Sequence, residues 1–173
     1  MGRFGATAFL VLIGALPALA AELPTRKAGL WEVKMSFENR NGAGMTIQQC
    51  VDAATDQMMQ SSAGPMAQAA CAKRDIQKSG NTLTIDSTCT IASKTATSHA
   101  VITGSFDSAY TMTVTSQSDA LPSGNMTMTM NAKWLGPCAA DQKPGDMIMG
   151  NGLKMNILEM QKRGPSQGVP LPR

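Results

Sequence analysis

Residues 82–91 read Thr82-Leu83-Thr84-Ile85-Asp86-Ser87-Thr88-Cys89-Thr90-Ile91. Leu83, Ile85, Cys89 and Ile91 fall on one parity, and Thr82, Thr84, Asp86, Thr88 and Thr90 on the other. Successive side chains of a strand point to opposite faces, so this is the period of a half-buried strand. Immediately upstream, Gly80-Asn81 is a two-residue hairpin signal, and a turn there places Ile76 opposite Ile85. The same alternation recurs along the chain. Trp31, Val33, Met35 and Phe37 oppose Glu32, Lys34, Ser36 and Glu38; Tyr110, Met112 and Val114 oppose Thr111, Thr113 and Thr115; Met126, Met128, Met130 and Trp134 oppose Thr127, Thr129 and Lys133. Residues 45–51 read as a return strand after Trp31 to Phe37. Threonine on the wet face and methionine on the dry face suits antiparallel sheet. Turn clusters at 79–81, 92–96, 107–108 and 119–125 separate the runs. About seven strands at hairpin spacing predict a mainly β fold, either a strongly curved antiparallel meander sheet or an up-and-down barrel.

Two segments break the alternation. Residues 52–70 are dominated by Ala, Gln and Met, with Asp52 as a cap and Pro65 suited to a first helical turn. They predict one or two short helices between strands two and three. Leu153, Ile157 and Met160 would share one face of a short C-terminal helix. A turn at 107–109 pairing Phe106 with Tyr110 would set Ile102 opposite Val114 and turn His99 outward.

The first twenty residues read as an address. Arg3 precedes an apolar run from Ala6 to Leu16, and Ala18-Leu19-Ala20 supplies the small residues of a cleavage site. The run is far short of the roughly 20 residues that cross a bilayer. We therefore expect a signal peptide over 1–20, a single exported β domain over 21–162 and a Pro-rich disordered tail over 163–173, in the periplasm and without a transmembrane segment. The 173 residues suffice for one domain. With 16% charged residues and a net charge of +3, the chain does not resemble a disordered tail. Its Lys and Arg occur singly or in adjacent pairs and form no phosphate-tracking stripe, which weakens a nucleic-acid reading, and we expect no nucleic-acid partner.

The four cysteines, Cys50, Cys71, Cys89 and Cys138, are too widely spaced for a Cys-x-x-Cys motif, and in an exported chain their even number predicts two disulfides. Three pairings are open. The Gly80-Asn81 register puts Cys71 opposite Thr90, on the other face from Cys89, which disfavours that pair unless the register shifts. The preferred expectation is Cys50 with Cys71 and Cys89 with Cys138.

Only 4% of residues are aromatic while 14 are Met, so methionine must supply much of the interior, a role its flexible thioether fills well. Alternation along one strand aligns Met126, Met128 and Met130, and soft thioethers are ligands for Cu(I) or Ag(I). Alternatively, a curved sheet lined by Trp31, Met35, Met112, Met128 and Trp134 would receive an apolar small molecule or a segment of an envelope protein. Asp52, Asp56, Asp75 and Asp86 could serve an enzyme if they met in space, although solvated surface acids are the simpler expectation. No nucleophile elbow, zincin, phosphate-loop or dinucleotide motif occurs, and we expect a non-enzymatic protein without a cofactor.

Five segments in order carry a family pattern: Lys27-Ala-Gly-Leu-Trp-Glu-Val33, Gln49-Cys-Val-Asp52, Gly80-Asn81-Thr82-Leu83 within the Cys71 to Cys89 stretch, Thr103-Gly104-Ser105-Phe106 and Trp134-Leu-Gly-Pro-Cys138. Together they resemble an uncharacterised proteobacterial family, domain of unknown function 3617, over nearly all of residues 24 to 156. The resemblance implies a small exported protein with paired cysteines and assigns no catalytic or binding residue.

Overall fold

A computed structural model describes residues 23–38, 44–61, 71, 73–91, 93–118 and 124–163. The expected signal peptide and the Pro-rich tail beyond residue 163 lie outside the described residues, as does Pro65. The strands are β1 (Gly29–Phe37), β2 (Met45–Val51), β3 (Lys73–Ser79), β4 (Thr82–Ile91), β5 (Lys94–Ser105), β6 (Ala109–Ser118), β7 (Asn125–Gly136), β8 (Asp146–Met149) and β9 (Lys154–Asn156). Helices α1 (Ala53–Ser61) and α2 (Ile157–Arg163) complete the described elements.

The nine strands of the described residues form one antiparallel sheet in the order β3-β4-β5-β6-β7-β1-β2-β8-β9. The sheet is open, with β3 and β9 at its edges, so of the two expected architectures the meander sheet is the observed one. The turn at Gly80-Asn81 pairs Ser79 with Thr82 and Ile76 with Ile85, as the alternation predicted. At the β5–β6 turn Ser105 pairs with Ala109, so Ile102 faces Met112 instead of Val114. This slip is two residues, one full pleat, and every side chain stays on its expected face. Residues 154–156 form β9, so the C-terminal helix begins only at Ile157 and Leu153 lies outside it.

The register aligns the apolar parity into rows that cross the strands. One row runs Met45–Met35–Met130–Met112–Ile102–Leu83, and the next runs Phe37–Met128–Val114–Ala100–Ile85–Ile76. A third runs Ile47–Val33–Ala132–Tyr110. The core sits under this third row. Trp31, Val33, Val51 and Ala132 are buried, and Met35, Met59, Tyr110, Met130 and Trp134 pack around them. Gly29 explains the Gly-Leu-Trp motif at the start of β1. Its φ is +132°, and a Cβ there would meet the Gly136 carbonyl oxygen at 2.3 Å, so only glycine lets β1 and β7 close at this end. A register irregularity between Leu30 and Trp31 follows directly.

The disulfides are Cys50–Cys138 and Cys71–Cys89, which corrects the expected pairing in both halves. Leu30 of β1 lies between Cys50 of β2 and Gly136 of β7, so Cys138 emerges one strand away from Cys50 and the bridge crosses β1. The β3–β4 ladder ends at the pair Lys73–Thr88, and Cys71 precedes it, outside any strand. Freed from the pleat, Cys71 turns onto the face of Cys89, which the in-register reading had denied it.

Asp52 caps α1. Its carboxylate accepts from the Thr55 amide at 2.8 Å, and the Thr55 hydroxyl accepts from the Asp52 amide at 2.9 Å. The backbone and hydroxyl bonds from Thr55 hold the Asp52 carboxyl below its usual value of 3.8. Asp52→Ala is expected to cost ~1 kcal/mol in a denaturant melt. Because the folded pKa is the lower one, the carboxylate contributes stability above about 3.8 that disappears as pH falls through the folded value. The difference between wild type and variant should therefore vanish in acid.

Candidate functional site

The apolar face of the sheet is closed at one end by a buried ion pair. Arg26 lies just before β1, and its Nε donates to Asp56 Oδ1 at 2.6 Å while its backbone amide donates to Asp56 Oδ2 at 2.7 Å. Asp56 is fully buried and Arg26 nearly so. Arg26 also donates to Gln49 Oε1 at 2.8 Å, and its guanidinium stands 5.7 Å from the centre of the Trp31 ring. Gln60 of α1 donates to Asp56 Oδ2 at 2.8 Å and to the Pro24 carbonyl. Burial raises the Tyr110 phenol above its ordinary 10.0, with the neighbouring Arg26 charge acting in the opposite direction. These contacts fasten α1 and residues 24–28 over the aromatic end of the face. Among the described residues no buried side-chain polar atom is left without a partner.

Trp31 belongs to this closed end. It is fully buried, its indole N–H donates to the Lys27 carbonyl at 2.8 Å, and Tyr110 lies 5.8 Å away, ring centre to ring centre. Trp134 is half-buried at the rim, where its N–H donates to the Ala28 carbonyl and the Lys27 ammonium stands 3.8 Å above its ring. Tyr110 in turn stacks on Phe106 at 4.7 Å. Gly104 lies opposite Tyr110, where a Cβ would meet the Tyr110 Cα at 2.8 Å.

Beyond the closed end the face is different. Met35, Met112, Met128 and Met130 are half-buried, as are Phe37, Val114 and Met126. Of the five residues expected to line a ligand face, Met35, Met112 and Met128 therefore share an accessible apolar surface, Trp134 borders it and Trp31 lies in its floor. A polar row follows, Met126–Ser116–Ser98–Ser87–Arg74. Ser87 and Ser98 are half-buried, with their hydroxyl oxygens 2.7 Å apart. The surface thus passes from buried aromatics through thioethers and aliphatics to hydroxyls and a guanidinium.

The opposite face holds His99, as expected, where the Asp86 carboxylate meets its Nδ1 at 2.7 Å. Both side chains are more than half exposed, so the pair contributes little to stability. Asp75 is the cross-strand neighbour of Asp86. Asp75, Asp86 and His99 line an open groove of about 740 Å³ together with Thr88, Thr97, Thr115 and Gln117 of the same parity, and Arg74, Ser87 and Ser98 of the other parity also border it. The four acids considered for catalysis thus do not converge: Asp52 caps α1, Asp56 neutralises Arg26, and Asp75 and Asp86 sit across the sheet. Among the described residues no three His, Cys, Asp or Glu side chains are placed to hold a metal ion, and no helix is long and apolar enough to cross a membrane.

A family model described as a protein of unknown function, DUF3617, matches residues 26–138. The chain belongs to this family. The DUF3617 match begins at Arg26 of the ion pair and ends at Cys138 of the disulfide, so it takes in β1 to β7 and α1 and stops short of β8, β9 and α2. Neither the curated proteins nor the solved structures gave a match.

Proposed function

We propose that this DUF3617 protein is an exported, periplasmic, non-enzymatic binding protein whose open sheet face receives an apolar chain. The observation that carries this reading is the set of half-buried apolar side chains Met35, Met130, Met112, Phe37, Met128 and Val114, which adjoin in two cross-strand rows beyond the end that Arg26 and Asp56 close. Unbranched thioethers repack around different apolar shapes at small cost, which suits a carrier surface better than a fixed jigsaw. The serine row ending in Arg74 offers hydroxyl and guanidinium donors to a polar or anionic end of the same ligand. An envelope protein segment would use the same rows without needing that polar end.

Two disulfides support an oxidising compartment, and the leader-like residues 1–20 supply the route to it. N-terminal sequencing of the exported form should begin at Ala21, and a retained leader would contradict export by cleavage.

Native mass spectrometry of protein purified without detergent should show a small-molecule adduct that is lost in Met112→Lys. An ammonium under the bound chain should weaken binding at least about tenfold, because an unpaired buried charge costs more than the ~1.4 kcal/mol that such a factor represents. Met112 is half-buried, so the variant should fold. Equal adduct occupancy in wild type and variant would remove this face as the binding surface.

A further inference from the structure

Four methionines occupy consecutive positions of a single cross-strand row: Met45 on β2, Met35 on β1, Met130 on β7 and Met112 on β6. We propose that the three inner members, Met35, Met130 and Met112, form a site for one soft monovalent cation of the Cu(I) or Ag(I) type. Geometry favours this set over the strip Met126, Met128 and Met130. Side chains two apart on a strand stand roughly 6.5 to 7 Å apart, so the ends of that strip are separated by about 13 Å. Directly opposed residues on neighbouring strands bring their Cβ atoms to about 4.5 to 5.5 Å. Each side chain has three rotatable bonds, so Met35 and Met112 can lean from either side towards the sulfur of Met130. Thioether sulfur is a soft, neutral donor that selects Cu(I) over harder divalent ions.

The rest of the molecule leaves this row without a competitor among residue types that bind such ions more strongly. All four cysteines are in disulfides, so no thiolate is present. The single His lies on the opposite face, engaged with Asp86. The buried Arg26 and Asp56 at the closed end of the face neutralise each other. All three proposed ligands are half-buried, so the ion need not surrender its whole hydration shell. The site does not depend on the apolar-ligand reading. It shares residues with that surface but is tested with the ion alone.

The experiment is a titration of the disulfide-intact protein with Ag(I), followed through carbon-13-labelled methionine methyl resonances. The methyls of Met35, Met112 and Met130 should shift together and saturate at one equivalent, with Met126 unmoved. One-equivalent Ag(I) uptake, read by native mass spectrometry, should be lost in the Met35→Leu/Met112→Leu/Met130→Leu variant, and the methyl shifts should persist in Met126→Leu. Met-to-Leu exchange nearly conserves volume; if the triple variant nevertheless fails to fold, single Met112→Leu must weaken the response of the other two methyls. Absence of shifts at one equivalent, undiminished one-equivalent Ag(I) uptake by the triple variant, or shifts along Met126 and Met128 instead would overturn the assignment. None of these outcomes depends on whether an apolar adduct is found.

Discussion

Asp56→Ala is expected to lower unfolding free energy by about 3–5 kcal/mol, because it leaves the Arg26 guanidinium buried without its counter-charge. Asp56 is 0% exposed and Arg26 7%, so water cannot replace the carboxylate without opening the closed end of the face. The loss propagates. Asp56 also receives the Arg26 amide and the Gln60 side chain, so α1 and residues 24–28 lose their common anchor together. The physical origin can be separated from lost packing by a companion variant, Arg26→Met/Asp56→Leu. Apolar groups of similar volume remove both charges, and buried pairs so replaced are often neutral in stability. The double variant should therefore be closer to wild type than Asp56→Ala in a urea melt. A cost below about 1 kcal/mol for Asp56→Ala is the value of an exposed pair and would contradict burial.

The second large effect is expected at Cys50–Cys138. This bridge spans 88 positions of sequence, against 18 for Cys71–Cys89. Loop-closure entropy then predicts about 4 to 5 kcal/mol for the first and about 3 for the second. The ordering should be reinforced structurally. Cys50 is fully buried, and the Gly145 amide donates to its carbonyl at 2.8 Å. Cutting the bridge therefore loosens the segment that carries Cys138 over β1 to β8. Cys50→Ala/Cys138→Ala should melt at lower denaturant than Cys71→Ala/Cys89→Ala, and non-reducing peptide mapping should recover only the two observed pairs. Recovery of a Cys50–Cys71 peptide, or the reverse order of midpoints, would contradict this account of the sheet.

Acid weakens the fold through more than Asp52. Asp146 is buried, which raises its pKa, but bonds from Asn156 and the Lys143 amide, with Lys154 nearby, outweigh burial and hold it below 3.8. Its contribution is present above about 3.8 and is lost as pH falls through the lower folded value. It ties β8 to β9, outside the span of the family match.

The faces of the sheet were readable from Thr and Met parity alone, because a half-buried antiparallel strand writes its two environments as alternate letters. Even the mistaken β5–β6 register preserved them, since the slip was two residues. The disulfide pairing was not readable, because it depends on β1 lying beside β7, two strands roughly a hundred residues apart whose adjacency no turn encodes. Strands β8 and β9 are too short to show a period. The Arg26–Asp56 pair escaped because an Arg beside a Lys before a strand looks like any solvated cation. One signal was present: Gln49 shares the inward parity with Ile47 and Val51, and a polar group on an apolar parity requires a buried partner. The methionine rows were visible one strand at a time, and only the cross-strand register shows that Met35, Met130 and Met112 adjoin.

Binding of an apolar chain across those rows can be tested with a spin-labelled fatty acid carrying its nitroxide near the middle of the acyl chain. On titration, the methionine methyls of Met35, Met112, Met128 and Met130 should broaden first and together, while Met155 and Met160 remain sharp. Uniform broadening of all methionines, or none at these four, would contradict the proposal that this face is the binding surface.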